Sequence, residues 1–194
     1  MNVGIYIYDQ AEVLDFSGPF EVFSTASRLC IDGDPFTVFL VSETGHEVSA
    51  RGNYRVTPSF GFHNHPVIDV LIVVGGVHGA ELSKIAVMNW IAAQAETAKV
   101  VASVCTGAFL LAEAKVLTTE QVTTHWEDIP DLRATYPGLT VHESRRWVDE
   151  GAIVTSGGIS AGIDMSLHLV SKLHSLELAE KTAKQMEFDW TKNS

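Results

Sequence analysis

The 194-residue sequence predicts an α/β fold: a doubly wound, mostly parallel sheet with helices on both faces. Three observations carry that expectation. Short apolar runs alternate with longer helix-forming stretches. The segment Asp69-Val-Leu-Ile-Val-Val74 is apolar throughout after its aspartate, as suits a central strand buried on both faces. The β-branched run Val100–Val104 stops at Cys105 and passes through Thr106-Gly107 into the helix-forming Ala108–Glu113. That last pattern is a strand, a sharp turn bearing a nucleophile, and a helix.

Taken in order, Val3–Tyr8 reads as the first strand. Asp15–Leu29 reads as a helix, with Phe16, Phe20 and Phe23 recurring at helical spacing. Phe36–Ser42 is a second strand. His46–Pro58 reads as a short hairpin or irregular arm, with turn signals at Gly45 and Gly52-Asn53. Asp69–Val74 is the central strand. Glu81–Ala98 is expected to be one helix, with Leu82, Ile85, Val87, Met88 and Ile91 as its apolar residues. Val100–Val104 feeds the turn at Cys105. Val122–Thr124 and Ala152–Thr155 are further short strands. Ile159–Leu173 is a long helix with Ile159, Ile163, Leu167 and Val170 turned inward. No repeat or linker divides the sequence, so residues 1–194 are expected to form one domain.

Composition narrows the function classes. At 46% hydrophobic residues the chain can fill a core, and its formal net charge of −11 disfavours nucleic acid and anionic membrane surfaces as partners. The two cysteines, Cys30 and Cys105, suggest no disulfide framework. The opening segment reads as a strand rather than an export signal, and no apolar run has the length of a membrane span. A cytoplasmic protein is the expectation.

Ligands of doubly wound folds bind beyond the carboxyl ends of the strands. Asp15, the turn Gly75-Gly76-Val77 and Cys105 all fall at that edge. The start of the helix after Cys105 is expected to lower its thiol pKa from about 8.5 and leave it accessible. A buried structural cysteine is the competing reading. Asp15, beside a thiolate, could hold a proton for sulfur or substrate; alternatively it only favours the start of its helix. Gly75 and Gly76, with the N–H of Thr106, could form an oxyanion-type pocket, or simply end a strand. Gly75-Gly-Val-His-Gly79 lacks dinucleotide-fingerprint spacing. His125 reads as a supporting residue, His63 and His65 as surface loop histidines, and Cys30 as a packing residue. No metal site and no cofactor are expected.

The chain resembles the ThiJ/PfpI (DJ-one/PfpI) superfamily, a branch of the class I glutamine amidotransferase-like, flavodoxin-like fold. Five segments carry the resemblance, and together they span nearly all of the chain. They are Ala11-Glu-Val-Leu-Asp-Phe-Ser-Gly-Pro-Phe-Glu-Val-Phe23, Val73-Val-Gly-Gly76, Ala102-Ser-Val-Cys-Thr-Gly-Ala-Phe-Leu-Leu-Ala112, Thr123-Thr-His-Trp126 and Thr155-Ser-Gly-Gly-Ile-Ser-Ala-Gly-Ile-Asp164. The branch most similar contains isonitrile hydratases and the sensor domains of AraC-type regulators.

The resemblance implies Cys105 as nucleophile, Asp15 as proton donor and relay, and Thr106 as the residue shaping the pocket. It implies hydration of an isonitrile to an N-substituted formamide, with a small-molecule substrate and a homodimer. A ligand sensor without turnover, or a glyoxalase- or deglycase-like carbonyl enzyme, are the alternatives. Thr106 stands where the superfamily's intracellular peptidases carry histidine, and Thr155-Ser156-Gly157 has no late histidine. A Cys-His-acid peptidase is therefore disfavoured.

Overall fold

The computed structural model describes residues 1–192. Its chain begins with β1 (Asn2–Tyr6), α1 (Val13–Leu29) and β2 (Thr37–Val41). The expected arm is a hairpin of β3 (Val48–Ala50) and β4 (Tyr54–Val56), turned at Gly52 and Asn53, both with positive φ. β5 (Val70–Val73), α2 (Gly79–Leu82), α3 (Ile85–Thr97), β6 (Val100–Ser103) and α4 (Gly107–Glu113) follow. Next come β7 (Gln121–Val122), α5 (Ile129–Thr135), β8 (Thr140–Val141), β9 (Trp147–Asp149) and β10 (Ile153–Ser156). The last helices are α6 (Ala161–Leu173) and α7 (Leu176–Gln185).

The main sheet has six strands in the order β2-β1-β5-β6-β10-β9. All neighbours are parallel except β9, which runs antiparallel on β10. The chain winds outward from β1 to β2, then returns to β5 and winds the other way, so the doubly wound expectation holds. β1, β5 and β6 are almost wholly buried. That is why they read as continuous apolar runs rather than alternating ones. Helix α1 packs with α6 and α7, and α4 packs with α2 and α3, giving two helical groups around the sheet.

Three expectations change. The helix expected over Glu81–Ala98 is two helices, α2 and α3, interrupted at Ser83–Lys84. Ile85 begins the second and is 76% exposed. The strand expected at Val122–Thr124 stays outside the main sheet and pairs with β8 in a separate two-stranded ribbon. Ile159 precedes α6 in a left-handed conformation (φ 53°), partly exposed rather than turned into the core. The segments β8, β9, α5 and α7 have no counterpart among the expected elements. The strands are only two or three residues long, too short to display a period.

Beyond α7, the Trp190 indole N–H donates to the Asp164 carbonyl at 3.1 Å and the Thr191 N–H to its carboxylate at 2.7 Å. Arg146 Nε pairs with the same buried carboxylate at 2.7 Å. Among the described residues, no helix is long and apolar enough to cross a membrane.

Candidate active site

The parallel register levels the carboxyl ends of four strands. Tyr6 lies opposite Val73, Val73 opposite Ser103, and Ser103 opposite Thr155. The loops leaving those ends therefore meet at one edge of the sheet. Backbone bonds fasten two of them together: Glu12 N–H donates to the Gly75 carbonyl at 2.9 Å and Val77 N–H to the Gln10 carbonyl at 3.1 Å.

Cys105 sits at the sharp turn between β6 and α4 with φ +56°, a left-handed conformation that costs a non-glycine residue on the order of 1 kcal/mol or more. The turn is held on several sides. Val104 N–H donates to Val73 O at 3.0 Å, Cys105 N–H to Gly157 O at 3.2 Å, and the Thr124 hydroxyl to Cys105 O at 2.9 Å. The close crossing of the glycine turn over the elbow explains Gly75. A Cβ there would lie 2.6 Å from the Thr106 nitrogen and 2.8 Å from the Cys105 Cβ.

Asp15 lies in the first turn of α1 and is completely buried. Gly75 N–H donates to its Oδ2 at 3.1 Å. Its Oδ1 has no hydrogen bond of full geometry among the described residues. The Cys105 thiol and the Ile159 N–H still lie near enough to favour the carboxylate. Burial is the larger influence. It pushes the Asp15 carboxyl up to about 7, against the smaller downward pull of the Gly75 N–H and with a further upward push from Glu12.

The expectation of an acidified, accessible Cys105 thiol is corrected. Cys105 is 6% exposed, and burial raises its thiol well above the usual range, with the Asp15 charge adding to the rise. The N–H groups of Thr106 and Ile159 act in the opposite direction and are outweighed. Helix α4, whose start follows the turn, is only seven residues long. Above about pH 7 the carboxyl has given up its proton while the thiol keeps its own, so the coupled pair then holds one proton.

Gly76 lines the cleft, but the N–H groups of the expected oxyanion pocket are already engaged. Gly75 N–H is taken by Asp15. Gly76 N–H donates to Thr106 Oγ1 at 3.0 Å, while that hydroxyl donates to Gly76 O at 3.1 Å. Val77 N–H is likewise engaged. The turn holds Asp15 and Thr106 in position, and the N–H donors that face the sulfur belong to Thr106 and Ile159.

Cys105, Thr106 and Gly76 line a cleft of about 220 Å³. His125 forms another wall, with Nδ1 3.3 Å from the Asp128 carboxylate. The ring fits because residue 158 is glycine: a Cβ there would stand 2.1 Å from the imidazole. The cleft also takes in His78, Glu12 and Arg51, with Arg51 reaching from the hairpin side to pair with Glu12 at 3.3 Å. His78, Arg51, Asp128 and Ile159 were not singled out from sequence as site residues. Asp128 follows His125 by three residues, a readable signal; Arg51 and Ile159 arrive from distant segments and carry none.

His63 is exposed, as expected, but His65 accepts a hydrogen bond from the Trp90 indole at 3.1 Å and belongs to an aromatic cluster. Among the described residues, no group of three acidic, histidine or cysteine side chains is arranged to hold a metal ion.

Isonitrile hydratase of Pseudomonas putida is 31% identical to this chain over 97% of its length and 78% of the relative's. The HTH-type transcriptional regulator GbdR of Pseudomonas aeruginosa is 26% identical over 99% of this chain, which spans 52% of the regulator. A ThiJ/PfpI family protein from Pseudomonas syringae has the same fold, with a TM-score of 0.86 at 24% identity over 100% of this chain and 77% of that one. Drosophila melanogaster DJ-1beta follows with a TM-score of 0.81 at 17% identity, over 97% and 98%. The pattern defining the DJ-1/PfpI family matches residues 1–172, and the chain belongs to that family.

Proposed function

We propose that this protein is a cysteine-dependent isonitrile hydratase, with Cys105 as nucleophile and Asp15 as proton carrier. The observation that carries the proposal is the buried pair itself: a thiol on a strained elbow beside a carboxyl raised to about 7. The likeness to isonitrile hydratase over most of both chains supports the same reading.

The coupled proton defines the steps. Asp15 takes the Cys105 proton as sulfur bonds to the terminal isonitrile carbon. The resulting carbanionic carbon takes that proton back from Asp15, giving a thioimidate. Water adds across the C=N bond: its hydroxyl goes to carbon and a proton to nitrogen. Collapse of the adduct breaks the C–S bond, returns the thiol and releases the N-substituted formamide. The sum is isonitrile plus water. Thr106 and Ile159, whose N–H groups face the sulfur, stabilise negative charge there as the proton moves. Thr106 acts through this N–H while its hydroxyl locks Gly76. His125 is placed to order water in the cleft. The reaction requires no cofactor.

Such a protein works as a homodimer, the commonest closed assembly, on a small-molecule substrate. The likeness to regulators supports a second reading, a sensor domain that binds a ligand without converting it.

Formamide production from a panel of alkyl and aryl isonitriles tests the proposal. Wild type is expected to turn over at least one. Cys105→Ser and Asp15→Asn are expected to lose about 10²–10⁴-fold while keeping a native circular dichroism spectrum. Binding of an isonitrile with no formamide from the wild type would leave the sensor reading in its place.

A further inference from the structure

Cys30 packs against the core as expected, and it also has a chemical partner. It caps the C-terminal end of α1, and His174 caps the C-terminal end of α6. Cys30 Sγ lies 3.6 Å from His174 Nε2. The ring's other nitrogen, Nδ1, is 3.1 Å from Ser175 Oγ. Ser175 is itself fixed, because its hydroxyl accepts the Leu178 N–H at 3.2 Å as the N-cap of α7. The side chains form a chain of three polar groups anchored at a helix start. They open on a cleft of about 150 Å³ whose walls include Ile31, Leu178 and Lys181. Cys30 is half-buried, whereas Cys105 is buried.

We propose that Cys30 and His174 form a second, thiol-modification site, at which Cys30 exchanges with low-molecular-weight disulfides. In the resting pair the thiol donates to Nε2, and Nδ1–H donates to Ser175. Transfer of the thiol proton to Nε2 gives a thiolate facing an imidazolium, and both ring N–H groups keep a partner. The thiolate attacks one sulfur of the disulfide. A new S–S bond forms as the old one breaks, and the departing thiolate takes the proton from His174. Cys30 is oxidised to a mixed disulfide and the departing half is reduced to a thiol.

The negative ends of α1 and α6 both point at the pair. Asp32 borders the cleft. The other charged groups nearby are matched: Glu177 pairs with Lys181 at 2.7 Å, and Arg28 with Glu21 at 3.3 Å. The cleft beside half-buried Cys30 admits a substituent on the disulfide, whereas Cys105 is almost wholly buried.

The test uses the full chain and oxidised glutathione, followed by intact mass and peptide mass spectrometry. At about pH 7 the adduct is expected on the Cys30 peptide, with Cys105 unmodified, and Cys30→Ala is expected to abolish it. His174→Gln keeps a polar group beside Ser175 but cannot take the proton, so it is expected to slow the reaction roughly tenfold or more. At about pH 9.5, where thiols ionise unaided, wild type and His174→Gln are expected to converge. Modification of Cys105 at an equal rate, unchanged kinetics in His174→Gln at about pH 7, or a gap that persists at the higher pH would each overturn the proposal.

Discussion

The two cysteines occupy opposite kinds of helix end. Cys105 precedes a helix, where sequence logic places an activated thiolate; Cys30 follows one, where the dipole disfavours negative charge. Their surroundings differ as much as their helix ends do. Cys105 is enclosed and faces a carboxyl, so burial and like charge keep the proton in the pair. Cys30 is half-buried and faces an imidazole. The lesson is that a helix end contributes a modest bias, which burial outweighs at Cys105. A thiol beside a carboxyl suits a substrate whose carbon must itself be protonated. A thiol beside an imidazole suits exchange at sulfur.

The largest expected effect that could break this comparison is in the pH profile. If one shared proton governs the Cys105–Asp15 pair, kcat/KM should rise about tenfold per pH unit below about 7 and level off above it. A profile falling through neutrality would mean that a doubly protonated pair does the work.

Stability offers the next test. The folded-state pKa of Asp15, about 7, lies above an unfolded value near 3.9, so the native state holds a proton that the unfolded chain has already lost. Stability is therefore fully present below about pH 4 and is lost as pH rises through about 7. Asp15→Asn removes that dependence. At about pH 8 it should be more stable than wild type by on the order of 2–4 kcal/mol, and the difference should shrink toward pH 4. Urea unfolding at both pH values measures it, and a pH-independent difference would assign the carboxyl a plain capping role.

The smallest effect concerns the support beneath the elbow. Thr106→Val keeps the shape of the side chain but strands the Gly76 N–H, and is expected to cost about 1–3 kcal/mol of stability. Its N–H toward the sulfur is retained, so turnover should fall far less than in Asp15→Asn. An equal loss of turnover would give the hydroxyl itself a chemical role.

Much of this was legible in the sequence, for identifiable reasons. Strands buried on both faces announce themselves as apolar runs, and the topology follows from their alternation with helices. Asp15 and Cys105 could be paired because each stands just beyond a strand end in one parallel sheet. The state of their proton could not be read. It depends on how completely other segments enclose the pair, and those segments lie far away in sequence. The occupation of the Gly75 and Gly76 N–H groups was hidden for the same reason, because it takes a folded loop to show which donors are already spent. Cys30 and His174 are separated by 144 positions and meet only where α1 and α6 end side by side.

The left-handed backbone at Cys105 bears on how this position can drift over generations. Glycine would relax the turn, and asparagine would tolerate it better than cysteine does. Local folding preference and chemistry thus pull in opposite directions at a single residue. Without a need for the thiol, the backbone at this turn would favour glycine or asparagine. The identity of the residue at the elbow then serves as a gauge of whether a given lineage still uses its thiol.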